Sequence, residues 1–234
     1  MLTIVLTRHG LTEITNPEIY IGQRIDVSLR ADGRRQAEAL ARRLAHVPFD
    51  AVISSPLFRA QETAEIVGRG AVVRTDPRLR EMDYGGWEGH AHADIERDDP
   101  ALRRRWDEDP ETVACPGGES GAQVAERARS FLAGLLAEHK AWHAKVSFRM
   151  ATSTAGAAEE PGQTALVVGH SSLDRVLLCV ALGIPVRDYR RRLLIDHCSL
   201  TVLRWTAGAA PGEAQLLVAN DTTHLRAARD LPWG

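Results

Sequence analysis

The run Leu2-Thr3-Ile4-Val5-Leu6, apolar and rich in β-branched residues, ends abruptly at Thr7-Arg8-His9-Gly10. Such a run reads as a buried strand, so its carboxyl end carries a cation and an imidazole. In open α/β sheets that edge is where ligands bind. Arg8 offers a planar fork of donors suited to phosphate oxygens, and His9 can serve as nucleophile, acid, base or metal ligand. Gly10 lets the backbone turn there with no side chain in the way. Alone, the tripeptide fits a plain strand-end turn with a surface arginine equally well, so other strand ends must decide.

They repeat the pattern. Asp50-Ala51-Val52-Ile53 is a second strand, ending in Ser54-Ser55-Pro56, with Ser55 as N-cap and Pro56 at the first position of a helix that carries Arg59 and runs to Gly68. Thr164 to Val168 is another, ending in Gly169-His170-Ser171-Ser172 before a helix over Leu173–Leu182. Between them lie a loop at Gly22–Leu29, a helix from Arg34 to His46 after Asp32-Gly33, and a short strand, Ala71-Val72-Val73. A glycine-rich ordered loop, Leu79 to Gly89, contains Glu81, and a charged helix follows over Asp94–Asp107. Cys115-Pro116-Gly117-Gly118 breaks the chain before a long helix, Ser120 to Lys140. Residues 141–163, rich in Ala, Ser, Thr and Gly, read as a flexible insertion. Leu200–Trp205 and Ala214–Val218 read as a late hairpin at the sheet edge. Strands alternating with helices give a three-layer α/β architecture, one domain over residues 1–234.

A formal charge of −2 offers no global attraction to nucleic acid or an anionic membrane, so any anion must be held by a local cluster. The three cysteines, Cys115, Cys179 and Cys198, are widely spaced, which argues against a disulfide scaffold or zinc knuckle. With neither a signal-peptide pattern nor a membrane-length apolar stretch, the expectation is a cytoplasmic protein. His90 with His92, and His139 with His143, have ligand spacing but no third ligand nearby, and read as surface histidines. Arg103-Arg104-Arg105 reads as a solvated face, with recognition of a second anionic substrate group as its rival reading. Trp87, Trp106 and Trp142 read as packing residues.

Arg8, His9, Arg59 and His170 therefore converge on one crevice, with Glu81 on a loop nearby. Phosphoryl transfer through a protein nucleophile needs this set: a histidine to attack phosphorus, fixed cations for the equatorial oxygens, and an acid for the leaving oxygen. Amides at the start of the helix after His170 would add an anion-binding terminus.

These residues sit in motifs that resemble those of the histidine phosphatase superfamily, the phosphoglycerate mutase-like proteins. The opening motif is Arg8-His9-Gly10 with Thr12; the second is Ser54-Ser55-Pro56-Leu57 with Arg59-Ala60 and Thr63-Ala64. Leu79-Arg80-Glu81 with Gly85 and Trp87-Glu88-Gly89, then Gly117-Gly118-Glu119-Ser120, Val167-Val168-Gly169-His170 and Asn220-Asp221-Thr222-Thr223-His224-Leu225 complete the series. The resemblance implies a mostly parallel central sheet and a phosphohistidine on His9. It implies a phosphate pocket of Arg8, Arg59 and His170, with Glu81 as proton donor. It also implies substrate contacts from Thr15, Asn16, Gly22, Gln23 and Ser171, and no metal or other cofactor. Thr15 stands where the family has asparagine, Leu11 where it has Glu or Gln, and Ser171 where it has glycine.

The expected activity is metal-independent hydrolysis of a small phosphorylated metabolite, with no nucleic-acid or membrane partner and a homodimer left open. Intramolecular transfer, as in a phosphoglycerate mutase, is the first alternative. A serine hydrolase using Ser171, with Asp196 or Asp221 and His197 or His224, is the remote one, because it leaves Arg8, His9 and Arg59 without a task.

Overall fold

A computed structural model describes residues 1–14, 19–151 and 162–225 of the chain. Its strands are β1 (Leu2–Arg8), β2 (Ala51–Ser54), β3 (Val73–Thr75), β4 (Gln163–Gly169), β5 (Leu200–Trp205) and β6 (Gln215–Asp221), in the sheet order β3-β2-β4-β1-β5-β6. The first four in that order run parallel, and β5 and β6 form an antiparallel edge. Helices α1 (Ala31–Arg43) and α2 (Phe58–Gly68) cover one face. Helices α5 (Gly121–Ala151) and α6 (Ser171–Leu182) cover the other, where α3 (His92–Asp98), α4 (Pro100–Glu108) and α7 (Tyr189–Arg192) add Ile95, Trp106 and Tyr189 to the core.

The period-two alternation of a strand explains the two cores. Leu2, Ile4 and Leu6 of β1 and Ala165 and Val167 of β4 pack toward α5 and α6, while Val5, Leu166 and Val168 pack toward α1 and α2. Both faces of these central strands are buried, which is why they read as unbroken apolar runs. No described helix is long and apolar enough to cross a membrane.

Helix boundaries differ from the sequence expectation in instructive ways. Helix α1 starts at Ala31, so Asp32-Gly33 is its first turn rather than a preceding loop. Gly33 is there because its backbone lies against Gly10 and Leu11: a β-carbon on Gly10 would stand 2.6 Å from the Gly33 carbonyl oxygen. Gly10 therefore serves close approach of two backbones, not only a turn. Helix α2 starts at Phe58, two residues after Pro56, because its first amide is capped by Asp26 Oδ1 at 2.9 Å instead of by Ser55. The charged segment after the glycine-rich loop is two helices, divided where the Asp99 side chain caps the helix that opens at Pro100. Helix α5 continues past Lys140 to Ala151, so residues 141–151 of the segment read as an insertion are helical. Residues 152–161 lie outside the described residues.

Candidate active site

Sheet register brings the expected residues together. Arg8 pairs with Gly169 and Ser54 with Val168, so β1, β4 and β2 end level with one another. His9 N–H donates to the Gly169 carbonyl at 3.1 Å, and Ser55 N–H donates to that of Val168 at 3.0 Å. His9 and His170 thus leave adjacent strands side by side, with ring centroids 5.1 Å apart. A one-residue slip of either strand would send one of them to the opposite face.

The backbone sets the tautomer of His9. Its Nδ1 lies 2.8 Å from the Gly10 carbonyl oxygen, which can only accept, so Nδ1 carries the proton and Nε2 keeps the lone pair. Thr63 holds this turn, accepting from Gly10 N–H at 3.1 Å and donating to the Arg59 carbonyl at 2.7 Å. Arg59, on the first turn of α2, is only 1% exposed; it donates to the carbonyls of Ile25 and Gly22 and lies 3.7 Å from Asp26. Arg8 donates from Nη1 to the Ile195 carbonyl, while its Nε is buried without a partner. Both ring nitrogens of His170 are likewise buried and unpartnered among the described residues. Buried polar atoms are ordinarily hydrogen-bonded, so such a group of orphans at one sheet edge marks a place prepared for a polar ligand.

Glu81 occupies the start of α6. Its Oε1 accepts from Met82 N–H at 2.8 Å and Leu173 N–H at 3.0 Å, and its Oε2 from Ser172 N–H at 3.2 Å. The helix terminus after His170 therefore receives this carboxylate, not a free anion as the sequence suggested. A cage fixes the Glu81 backbone: Gln23 Nε2 and Arg127 both donate to its carbonyl, and both also bond Glu119. Asp83 N–H donates to the same Glu119 carboxylate at 2.9 Å.

A cavity of about 450 Å³ opens at this edge, lined by Arg8, His9, Glu81, Ser171 and His197 at its charged end. Ile14, Ile19, Tyr20, Ile21 and Tyr84 form an apolar wall, and Arg175 and Arg190 supply further charge. Arg59 and His170 are not on its wall but buried beyond it. Gly22 and Gln23 are not on it either; they hold Arg59 and Glu81 through the bonds just described. Thr15 and Asn16 lie outside the described residues. Neither Ser171 nor Ser172 hydrogen-bonds a histidine among the described residues; Ser172 pairs with the Tyr84 hydroxyl at 2.7 Å, and His224 bonds the Cys198 carbonyl.

Several candidates from the sequence find other uses. Arg104 and Arg105 are exposed, whereas Arg103 lies over Trp106 and pairs with Asp107, so none of the three faces the cavity. Trp87 and Trp106 are buried, with Trp106 meeting Tyr20, Tyr84 and Trp87 edge to face. The His92 ring lies tilted against that of Tyr20, with centroids 4.2 Å apart, and His139 bonds Gln163. Among the described residues no group of three or more His, Cys, Asp or Glu is arranged to hold a metal.

Electrostatics keep the imidazoles neutral. Burial, then Arg59, His170, His197 and Arg8, hold His9 well below the ordinary histidine range. Burial followed by Arg59 and Arg8 does the same to His170, and burial with Arg8 pushes His197 down to about 3. Unfolded histidines titrate near pH 6.5, so these three bind protons in the unfolded chain that the folded chain refuses. Their contribution to stability is complete above about pH 6.5 and is lost as pH falls below it. Asp174, raised well above the usual carboxylate range by burial and then by Glu81, works in the opposite sense, one group against three. The melting temperature should therefore fall between about pH 7 and pH 5. Inorganic phosphate should restore part of it, because binding to the folded state stabilises it. A flat profile in thermal melts would show that these histidines are not buried neutral.

A family model described as the histidine phosphatase superfamily, branch 1, matches residues 4–220. The chain is 36% identical over 210 residues to a glucosyl-3-phosphoglycerate phosphatase of Mycobacterium tuberculosis, covering 88% of this chain and 87% of that one. It is 31% identical over 233 residues to a probable phosphoglycerate mutase, GpmB, of Yersinia enterocolitica, covering 96% and 95%. The solved structure of a mycobacterial glucosyl-3-phosphoglycerate phosphatase superposes with a TM-score of 0.76 at 34% identity, covering 93% of this chain and 98% of that one.

Proposed function

Because the chain belongs to the histidine phosphatase superfamily, we propose that it hydrolyses a small phosphomonoester through a phosphohistidine on His9. The observation that carries this reading is the state of His9: Nδ1 tied to Gly10, Nε2 bearing the lone pair, and cations on either side. Nε2 attacks phosphorus as the ester P–O bond breaks, and Glu81 gives a proton to the leaving oxygen. Water then attacks phosphorus, the P–N bond breaks, and the water's proton passes to Glu81. Arg8 and Arg59 supply positive charge to the equatorial oxygens, and His170, neutral in the free protein, takes up a proton when the bound phosphoryl group offsets those two arginines; together they perform the task of a metal ion elsewhere, so no metal is needed. Three unpaired, buried cysteines agree with a reducing, cytoplasmic setting.

Beyond the phosphate end, the cavity favours a substrate that carries a second anionic group. Arg175 lies on the wall with its Nε buried and no hydrogen bond or ion pair among the described residues. Arg190 is held in place by stacking 3.9 Å over Trp106 and by Asp107 at 3.1 Å. This pair takes over the role that Arg103-Arg104-Arg105 could have had.

A panel of phosphomonoesters with and without a carboxylate or second phosphate, assayed in excess EDTA, tests the reading. Turnover should survive the chelator. Arg175→Ala should raise KM by about tenfold or more for phosphomonoesters that carry a second anionic group, the scale of a charge-assisted hydrogen bond, and spare p-nitrophenyl phosphate, which has none. With 3-phosphoglycerate and a bisphosphoglycerate primer, free phosphate should exceed 2-phosphoglycerate. Isomer forming faster than free phosphate would make the chain a mutase, and activity that needs a divalent ion would remove the mechanism.

A further inference from the structure

His197 faces His9 from the other side of the sheet edge, on the turn that leads into β5. Its ring centroid is 5.2 Å from that of His9, nearly the same separation as His170, and the two rings meet edge to face. His197 lines the cavity, which His170 does not. Its Nδ1 lies 2.9 Å from the His9 carbonyl oxygen, so Nδ1 donates and Nε2 keeps its lone pair. One nitrogen of the ring thus serves the backbone of the nucleophile. The other has no backbone to serve.

The chain spends strain on placing this ring. Cys198, a residue with a β-carbon, adopts a left-handed φ of 52°, and Asn220 opposite it adopts 47°. Such conformations persist where surrounding bonds over-determine them, and they concentrate at working sites. Here the bonds are numerous. Cys198 N–H donates to the Arg8 carbonyl at 2.9 Å, and His224 Nε2 donates to the Cys198 carbonyl at 2.9 Å. Asp196 N–H donates to Asn220 Oδ1 at 2.8 Å, while Asn220 Nδ2 donates back to Asp196 Oδ2 at 2.9 Å. A turn made only to start β5 needs none of this. Its outcome is an imidazole fixed beside the nucleophile, at the end of a bridge pairing His197 with Arg8.

We propose that His197 is a further catalytic residue, whose Nε2 shares a proton with an oxygen of the phosphoryl group while that group is transferred to and from His9. The inference rests on the phosphohistidine reading above. A bare nitrogen lone pair facing a phosphate dianion repels it, so a proton must lie between them, either on Nε2 or on the phosphoryl oxygen. Phosphate monoesters gain their second proton near pH 6, which makes this proton available near neutrality. The charged and titratable groups around the ring are Arg8 from β1, Arg30 ahead of α1, and the imidazole of His9. Both arginines hold His197 neutral, and an anion that offsets Arg8 relieves that pressure. Anion binding is therefore accompanied by proton uptake, and tightens as pH falls.

Two substitutions separate the nitrogens. In His197→Asn the side-chain amide N–H reproduces the Nδ1 bond to the His9 carbonyl but nothing stands at Nε2. In His197→Gln a polar atom can reach the Nε2 position instead. The experiment measures kcat/KM for p-nitrophenyl phosphate and the affinity for inorganic phosphate from about pH 6 to pH 8, with melting temperatures for each protein. His197→Asn should keep its melting temperature and lose about tenfold or more in kcat/KM, the scale of a hydrogen bond to a charged group. Its phosphate affinity should vary with pH less steeply than that of the natural protein, by about one proton per anion bound. His170 titrates equally in both proteins and cancels in this comparison. His197→Gln should recover part of the rate. A His197→Asn protein with the natural rate and pH profile would reduce His197 to a strut for the His9 carbonyl, and the inference would fail. A natural protein that turns over no phosphomonoester would instead overturn the function proposed above, and phosphate binding would still test the proton.

Discussion

Replacing His9 by alanine should reduce phosphomonoester turnover by about 10⁴-fold or more, because the variant loses the atom to which phosphorus is transferred. The remaining cluster would still bind phosphate, so affinity for inorganic phosphate should change far less than the rate. Stability should not suffer. His9 is a desolvated imidazole surrounded by Arg8, Arg59, His170 and His197, all of which disfavour its charge, and active-site groups of this kind are commonly held at a cost to the fold. The melting temperature of His9→Ala should therefore match or exceed that of the natural protein. In the natural protein, rapid denaturing quench during turnover should trap an acid-labile phosphate on His9. Trapped phosphate on another residue, or substantial activity in the variant, would remove the mechanism.

Much of this site was legible because parallel sheets write their active edge into the sequence. Buried parallel strands are short apolar runs, and whatever follows each run stands at the same edge; Arg8-His9, Ser54-Ser55 and Gly169-His170 could be aligned before the register was known. The pieces that escaped depend on tertiary packing. Glu81 was readable as a candidate on the glycine-rich loop, but nothing local announces that its carboxylate caps α6 through Ser172 and Leu173. Arg127, on the second turn of the long helix α5, looks in the sequence like any solvated arginine, yet it donates to the carbonyls of Arg78, Arg80 and Glu81. His197 had a signal, a histidine just before a strand, but the strained φ of Cys198 that aims it is invisible in a sequence. Helix ends erred where a distant side chain supplied the cap, as Asp26 does for α2.

The geometry of Glu81 makes a sharp expectation for its isosteric substitution. Oε1 accepts two amides while Oε2 accepts one at 3.2 Å, so Oε2 is the oxygen with capacity to carry and deliver a proton. In Glu81→Gln the amide oxygen is drawn to the site with two donors, and the NH₂ group falls at Oε2, facing Ser172 N–H. The variant then lacks a transferable proton and also carries one donor against another, which disturbs the first turn of α6 beside His170. The two effects separate by leaving group. An alkoxide departs only with a proton, so alkyl phosphates should lose about 10²- to 10⁴-fold, the usual worth of a general acid. p-Nitrophenolate departs unaided, so its ester should lose only what the disturbed turn costs, about tenfold or less by the scale of a single unsatisfied polar contact. Glu81→Ala supplies the control: it frees the α6 amides without opposing them, so it should outpace Glu81→Gln on both ester classes by what the disturbed turn costs and keep on alkyl esters the loss that belongs to the acid. Equal losses on both ester classes in both variants would show that Glu81 holds the helix terminus and gives no proton to the reaction.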